Sequence, residues 1–393
     1  MYIFNPEHDL CLANGDIHFV PPESALAFGR DCASIIRFMR GLDADADVNC
    51  SVDTCNGMNS VGQVKKIVPW GWNQVLKERL IKEGYAPELL PSDLQIEQIT
   101  DLSQRCVALD ALEYLHGAWC KEGNGDLWQK RLTSPDYRIA AKSLEEVTAF
   151  LEKVQNVVLK APLSGSGKGI RFVSKELSHS DAGWCRNLIA KHGYVVVEQR
   201  FAPVMEFAML FRSVKVENNS ENGEKQAVEF IGYSLFYTQN GAYRGNILAS
   251  NEFIESQITQ YIPVDLLHKS RLAIMDFIEK RIAGKYEGFI GVDQFVCRDF
   301  VDATNTMDSS TDLIAKENTC YKEDESHYCF NPVVEINLRM TMGLVARNIY
   351  DRFSLEYGLQ DGSHIFEICR NEPERGRYSY KITEHNKIAG NSL

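Results

Sequence analysis

Val157-Val158-Leu159-Lys160-Ala161-Pro162-Leu163-Ser164-Gly165-Ser166-Gly167-Lys168-Gly169-Ile170-Arg171-Phe172-Val173 sets two apolar, β-type runs on either side of a glycine- and serine-rich turn. A P-loop needs G-x-x-x-x-G-K-[ST]. Here Gly167-Lys168 is followed by Gly169, and the residue five before Gly167 is Pro162. A dinucleotide fingerprint needs G-x-G-x-x-G opening a helix, whereas this spacing is G-x-G-x-G and the residues after Gly169 are β-like. The stretch therefore reads as strand, glycine loop, strand: a hairpin whose tip folds over a ligand. Its glycines let backbone N–H groups approach phosphate oxygens, and Ser164, Ser166 and Lys168 add donors and a charge. Lys160 stands in an apolar strand, where an unpartnered ammonium is costly and an anionic ligand removes the cost. The plainer alternative is a flexible hairpin with a snorkelling lysine.

Outward from the hairpin, Ser143-Leu144-Glu145-Glu146 reads as a capping box, followed by Val147, Phe150, Leu151 and Val154 on one helical face. Tyr194–Glu198 and Phe207–Val216 read as strands, Asn218–Glu224 as a hairpin loop and 264–283 as a helix. Two more strands, 288–297 and 332–338, flank a polar stretch from Asp302 to Glu325 that reads as an exposed insertion. Val333–Met340 alternates strictly, so that Glu335, Asn337 and Arg339 share one face of a strand. A carboxylate and an amide oxygen at i and i+2 suit a hard cation such as Mg²⁺. Asp293 supplies a second carboxylate. If the two strands pair as a hairpin, Asp293 and Glu335 lie opposite each other and repel unless a cation sits between them. A solvated sheet face with a Glu335–Arg339 ion pair is the alternative.

The chain has 393 residues, with 42 Lys plus Arg against 54 Asp plus Glu, a formal charge of −12. That balance argues against duplex DNA or an anionic membrane as the main partner, since both need a basic footprint. No apolar run approaches the ~20 residues of a membrane helix. The first residues carry no basic segment followed by an apolar one, as a secretory signal would. Eleven cysteines without framework spacing read as reduced thiols. Together these features predict a cytoplasmic protein.

In order and spacing, the Val158-Leu159-Lys160 strand with its glycine loop, Val196-Val197-Glu198-Gln199-Arg200-Phe201, Gly291-Val292-Asp293 and Glu335-Ile336-Asn337-Leu338-Arg339 resemble the ATP-grasp superfamily over roughly 130–350. The resemblance implies an α/β N-terminal domain followed by two α+β subdomains that grip ATP. Lys160 would contact the α- and β-phosphates, and Ser164, Gly165, Ser166, Gly167, Lys168 and Gly169 would cover the β- and γ-phosphates. Glu198, Gln199 and Phe201 would form the hinge that reads adenine through backbone groups, and Glu206 would take the ribose hydroxyls. Asp293, Glu335 and Asn337 would hold Mg²⁺, with Mn²⁺ as the alternative ion. Arg339 and Lys168 would neutralise the transferred phosphoryl group or acyl phosphate. The further lysine usual in the superfamily would be Lys130 or Lys142.

The expected division is an N-terminal domain over 1–125, a small subdomain over 126–200, a metal-bearing subdomain over 201–360 with a 299–328 insertion, and a peripheral extension over 361–393. The resemblance implies a ligase that activates a carboxylate as an acyl phosphate for attack by an amine, acting on small-molecule or peptide substrates, with a homo-oligomer as an option. A nucleotide-sensing subunit and a kinase of the same fold are the rivals. In α/β units, loops after strand ends are usual ligand sites, which singles out Asn5, Glu7, His8 and Asp9, and then Trp70-Gly71-Trp72-Asn73. Tyr243 and Arg244, in a turn-rich segment, are candidates for reaching a carboxylate; an exposed hairpin tip is the alternative.

Overall fold

The computed structural model describes residues 1–43, 64–121, 131–164, 169–216, 225–239, 242–298, 328–371 and 376–385. In chain order these form β1 (Tyr2–Ile3), α1 (His8–Asn14), α2 (Glu23–Asp31), α3 (Ile36–Met39), β2 (Val68–Pro69), α4 (Gln74–Lys82), α5 (Asp93–Leu102) and α6 (Arg105–Lys121). Next come β3 (Arg138–Ala141), α7 (Leu144–Val154), β4 (Asn156–Lys160), β5 (Ile170–Ser174), α8 (His179–His192) and β6 (Val195–Gln199). The remainder is β7 (Pro203–Val216), β8 (Lys225–Gln239), β9 (Ala242–Leu248), α9 (Asn251–Ile258), α10 (Val264–Arg281), β10 (Gly288–Arg298), β11 (Tyr328–Asn337), α11 (Met342–Tyr357), β12 (His364–Arg370) and β13 (Tyr378–Glu384).

The small sheet runs β3-β6-β4-β5, antiparallel throughout. The hairpin read from the glycine stretch is its edge, with Lys160 opposite Ile170. Helices α7 and α8 cover it, burying Val147, Phe150, Leu151 and Cys185 against Val157, Leu159 and Val197. Ser143 caps α7 by accepting from Glu146 N–H, but the Glu146 carboxylate returns to Lys142 N–H at 2.8 Å, one residue before the expected partner.

The large sheet runs β11-β10-β7-β8-β9-β12-β13. Strands β7 and β8 are long and apolar on alternate residues, so the two faces bury separate cores. Phe207, Met209, Phe211 and Tyr233 pack with α6, α9 and α10 on one face. Ala208, Leu210, Leu248 and Phe366 pack with α3 and α11 on the other. The expected pairing of the carboxylate strands is present: β10 and β11 are antiparallel with Asp293 opposite Glu335. The hairpin loop expected at 218–224 and most of the 299–328 insertion lie outside the described residues.

At the far edge of the large sheet, β12 pairs with β9, and β13 with β12 along its whole length. Within the described part of 1–125, Ile67, Leu76 and Leu80 close a small core with Met1, Ile3 and Tyr85, while other residues there fill cores built with the large sheet. Tyr2, Phe4, Phe38 and Met39 share a core with Leu344, Ile349 and Phe366 of the large sheet region, and Ala108, Ala111 and Leu115 of α6 share the opposite one. Composition shifts mark linkers; they do not reveal which core a helix fills.

Candidate active site

The end of β4 and the end of β6 bring a charged cluster into the small sheet. Lys160 Nζ is ion-paired with Glu198 Oε1, and Arg138 Nε lies 2.8 Å from Glu198 Oε2, an ion pair whose alignment is not that of a hydrogen bond. All three side chains are buried. Burial would raise the Glu198 carboxyl, yet Lys160 and Arg138 together hold it below its ordinary range, so it stays ionised. Burial pushes the Lys160 ammonium below its usual value, against the pull of Glu198. Glu198 thus uses its side chain to fix two cations, beyond the backbone role expected of it. Arg138 also donates to Val333 O of β11 at 2.9 Å, which ties the small sheet to the large one.

Across from this cluster, on one face of the large sheet, stand Asp293, Glu335 and Asn337. Asn337 Nδ2 donates to Asp293 Oδ2 at 3.1 Å. Burial first, and the facing Glu335 second, push the Asp293 carboxyl up to about 7. Two carboxylates and an amide are therefore gathered with their negative charge only partly matched. Among the described residues no cluster of three or more His, Cys, Asp and Glu side chains is placed to hold a metal, so a cation here would rest on this pair with Asn337.

Arg105, the first residue of α6, was missed by the sequence reading and is central. Its N–H donates to Pro162 O at 2.9 Å, and Nη1 donates to Ala161 O and to Ser164 Oγ, both at 2.7 Å. Nη2 reaches both Glu335 oxygens at 3.2 and 3.3 Å. One guanidinium thus joins the root of the glycine loop to the carboxylate pair. Lys142 is no partner in this cluster: it is exposed, beyond the opposite end of β3, where Ala141 pairs with Val195. Lys130 lies outside the described residues, as do Gly165, Ser166, Gly167 and Lys168. Gly169 closes the loop through its carbonyl, which accepts from Ala161 N–H at 2.8 Å. A Cβ on Gly169 would collide with Ser164, so the close approach requires glycine.

Beyond the carboxylates, the same face offers an apolar patch. Phe201 lies 5.4 Å, centroid to centroid, from Phe295, with Cys297, Cys329 and Val334 around them. Glu206, paired in register with Phe295, accepts from Thr238 Oγ1 at 2.6 Å, and burial raises its carboxyl. Gln199, at the end of β6, is buried, and its Oε1 has no hydrogen-bond partner.

Arg339 does not continue the strand, which ends at Asn337. It lies in the following bend and its Nε donates to both oxygens of Asp9, at 2.8 and 3.1 Å. Asp9 belongs to the first turn of α1, and burial there is outweighed by Arg339, so its carboxyl is lowered. His8 beside it is buried and pushed down to about 4, chiefly by that burial. Its ring fills the space beneath Gly71, where an added Cβ would stand 2.6 Å away, and its Nδ1 lies 3.3 Å from Asn73 Nδ2. Asn5 Nδ2 donates to Gly71 O at 2.8 Å. Asn5, His8 and Asn73 therefore knit the two N-terminal loops together. Tyr243 is no exposed tip, for its hydroxyl is bonded to Asn246 within the sheet.

Two antiparallel sheets, tied at Arg138, face each other across these side chains. Family models and curated proteins give no match to the sequence. Solved structures with a similar fold include an N5-carboxyaminoimidazole synthetase from Staphylococcus aureus complexed with ADP, 14% identical, with TM-score 0.37, 75% of this chain and 57% of that one covered. They include a biotin carboxylase from Campylobacter jejuni, 13% identical, TM-score 0.40, covering 79% and 60%. An N5-carboxyaminoimidazole ribonucleotide synthetase from Thermus thermophilus is 13% identical, TM-score 0.37, covering 95% and 84%. The chain thus spans less than two thirds of the length of the first two, and no residue role follows from superpositions of this size.

Proposed function

We propose that this chain is an ATP- and Mg²⁺-dependent, ADP-forming ligase that activates a carboxylate as an acyl phosphate for attack by an amine, acting in the cytoplasm on small-molecule or peptide substrates. The observation that carries the reading is the meeting of Asp293, Glu335 and Asn337 on one sheet with Lys160, Arg138 and Arg105 around the glycine loop of the other. A carboxylate pair in which Glu335 is matched by Arg105 and Asp293 has no cation of its own, set beside Lys160 and Arg138, suits a metal-bound polyphosphate.

The donor set fits the cation. Asp293 is pushed up to about 7 because burial and Glu335 both oppose its charge, and a divalent ion between them would remove that opposition. Bound there, Mg²⁺ would neutralise phosphate charge and orient the transferred group. Lys160 and Arg105 would lie on the phosphates, Arg105 taking the role expected of Lys130 or Lys142. Ser164 and Gly169 would anchor the covering loop. Phe201 and Phe295, in contact with each other, would offer the base an apolar surface, with Gln199 Oε1 as an acceptor for its amino group, and Glu206 would take the ribose hydroxyls.

The chemistry needs positioning and charge neutralisation more than a protein nucleophile. A substrate carboxylate oxygen attacks the γ-phosphorus, the bond to the bridging oxygen breaks, and ADP leaves. The amine then attacks the acyl carbon: a C–N bond forms, the C–O bond to phosphate breaks, and phosphate leaves with the electron pair. Arg339 would stabilise charge on the acyl phosphate oxygens.

Thermal unfolding with and without Mg²⁺–ATP tests the nucleotide site. A ligand at 100 times its dissociation constant stabilises by about 2.7 kcal/mol, so Tm should rise by several degrees in the wild type and not in Lys160→Ala. An unchanged Tm in the wild type at millimolar Mg²⁺–ATP, or an equal rise in the variant, overturns the assignment.

A further inference from the structure

One cavity lies between the N-terminal loop and the proposed phosphate site. It is lined by His8 and Asp9, by Ser103 and Ser164, and by Glu335 and Asn337. With room of about 20 Å³ it holds little more than one water molecule. The loop root at Pro162 and Leu163 forms another wall, so the cavity adjoins both Glu335 and Ser164.

The charges around this cavity are unequally committed. Arg105 is engaged with Ala161 O, Ser164 Oγ and Glu335. Glu335 belongs to the proposed cation site. Asp9 is the other carboxylate in the wall, and among the described residues its side chain takes donors from Arg339 Nε alone. A carboxylate offers about four lone-pair positions, so roughly half of the acceptor capacity of Asp9 stays open. His8 does not fill it, being a neutral ring held beneath Gly71. Nor is Asp9 a neutral acid, since Arg339 keeps it ionised.

We propose that Asp9 recognises the acceptor substrate as a primary amine in its ammonium form, beside an acyl group held by Arg339. The inference deepens the ligase reading and rests on it. Asp9 and Arg339 are of opposite sign and 2.8 Å apart. An ammonium on one and an anionic acyl oxygen on the other are therefore neighbours before reaction, which is the positioning that lowers a bimolecular barrier. The ammonium gives one proton to water to become nucleophilic. After attack the nitrogen gives a second to the departing phosphate, leaving a neutral amide. A neutral alcohol brings only an uncharged donor to the open lone pairs of Asp9, whereas an ammonium makes the stronger charge-assisted bond there, so the pair favours amines over hydroxyl acceptors.

The test uses the full chain with Mg²⁺ and the non-hydrolysable nucleotide AMP-PNP at neutral pH. Saturation-transfer NMR reads binding of glycinamide, a cationic amine without a carboxylate, against acetamide, its twin lacking the ammonium. The wild type should bind glycinamide in clear preference to acetamide. Asp9→Asn, which keeps an acceptor oxygen for Arg339, should bind it about tenfold more weakly or worse, with nucleotide affinity unchanged. Asp9→Glu should retain the preference. Equal binding of the two probes to the wild type, or an undiminished glycinamide signal in Asp9→Asn, overturns the proposal while the nucleotide site stands. Absence of AMP-PNP binding to the wild type overturns the ligase reading and this inference with it.

Discussion

The two sheets treat buried charge in opposite ways. In the small sheet, Glu198 sits between Lys160 and Arg138, and two cations share one carboxylate that stays ionised in spite of burial. In the large sheet, Asp293 faces Glu335 across paired strands, and its carboxyl is driven up to about 7. The first cluster is nearly complete in the protein alone, with an excess positive charge directed at the cleft. The second is incomplete and favours a cation. Preorganised positive charge on one side, and on the other a carboxylate pair that Arg105 matches only at Glu335, are what a metal-bound polyphosphate would join.

The contrast breaks most clearly at Glu198. Glu198→Ala leaves Lys160 and Arg138 buried without their anion, and removing one partner of a buried charge cluster costs about 3–5 kcal/mol. Urea unfolding should show a loss of that size; a loss within 1 kcal/mol, roughly the worth of an exposed pair, would mean that the cluster is hydrated.

Next in size is His8, held neutral by burial in the N-terminal loops. Its folded pKa of about 4 lies below the ordinary 6.5, so the unfolded chain binds a proton that the native state refuses. The stability it contributes is full above pH 6.5 and is lost as pH falls towards 4, by about 3 kcal/mol over that window. In His8→Gln the fall between pH 6.5 and 4 should be shallower by that amount, read from urea midpoints at each pH. Parallel profiles for the two proteins would place the ring in contact with water.

The smallest effect, and the one of opposite sign, is expected at Asp293. Because its folded pKa is raised, its contribution is present below the carboxylate range and lost as pH rises through about 7. Asp293→Asn should therefore stabilise the metal-free protein at pH 8 by about 1–2 kcal/mol, while removing any stabilisation by Mg²⁺–ATP. A destabilised variant at pH 8 would show that the carboxylate is satisfied by the protein itself.

Much of this was legible in local pattern. Val157–Leu159 and Ile170–Val173 announce two strands and the intervening glycines a turn, because apolar alternation and backbone freedom act within a few residues. The placement of Glu335 and Asn337 on one face follows from the period of two, and the pairing of Asp293 with Glu335 needed only the inference that consecutive strands form a hairpin. What local pattern predicted less well was the end of that strand. Alternation continues to Met340, yet pairing stops at Asn337, because Arg339 turns aside to meet Asp9.

By itself, then, the sequence determined the strands, the glycine loop and the carboxylate face, all set by interactions between near neighbours in the chain. The tertiary structure alone decided which charges meet. Arg105 reaches Glu335 across 230 positions and Arg339 reaches Asp9 across 330; nothing around Arg105 distinguishes it from a solvated surface charge, and the pattern around Arg339 does not point to Asp9. Such pairs exist because packing both cores of the large sheet draws α6 and the first turn of α1 against β11. Once burial excludes water from a guanidinium, the nearest carboxylate becomes its partner.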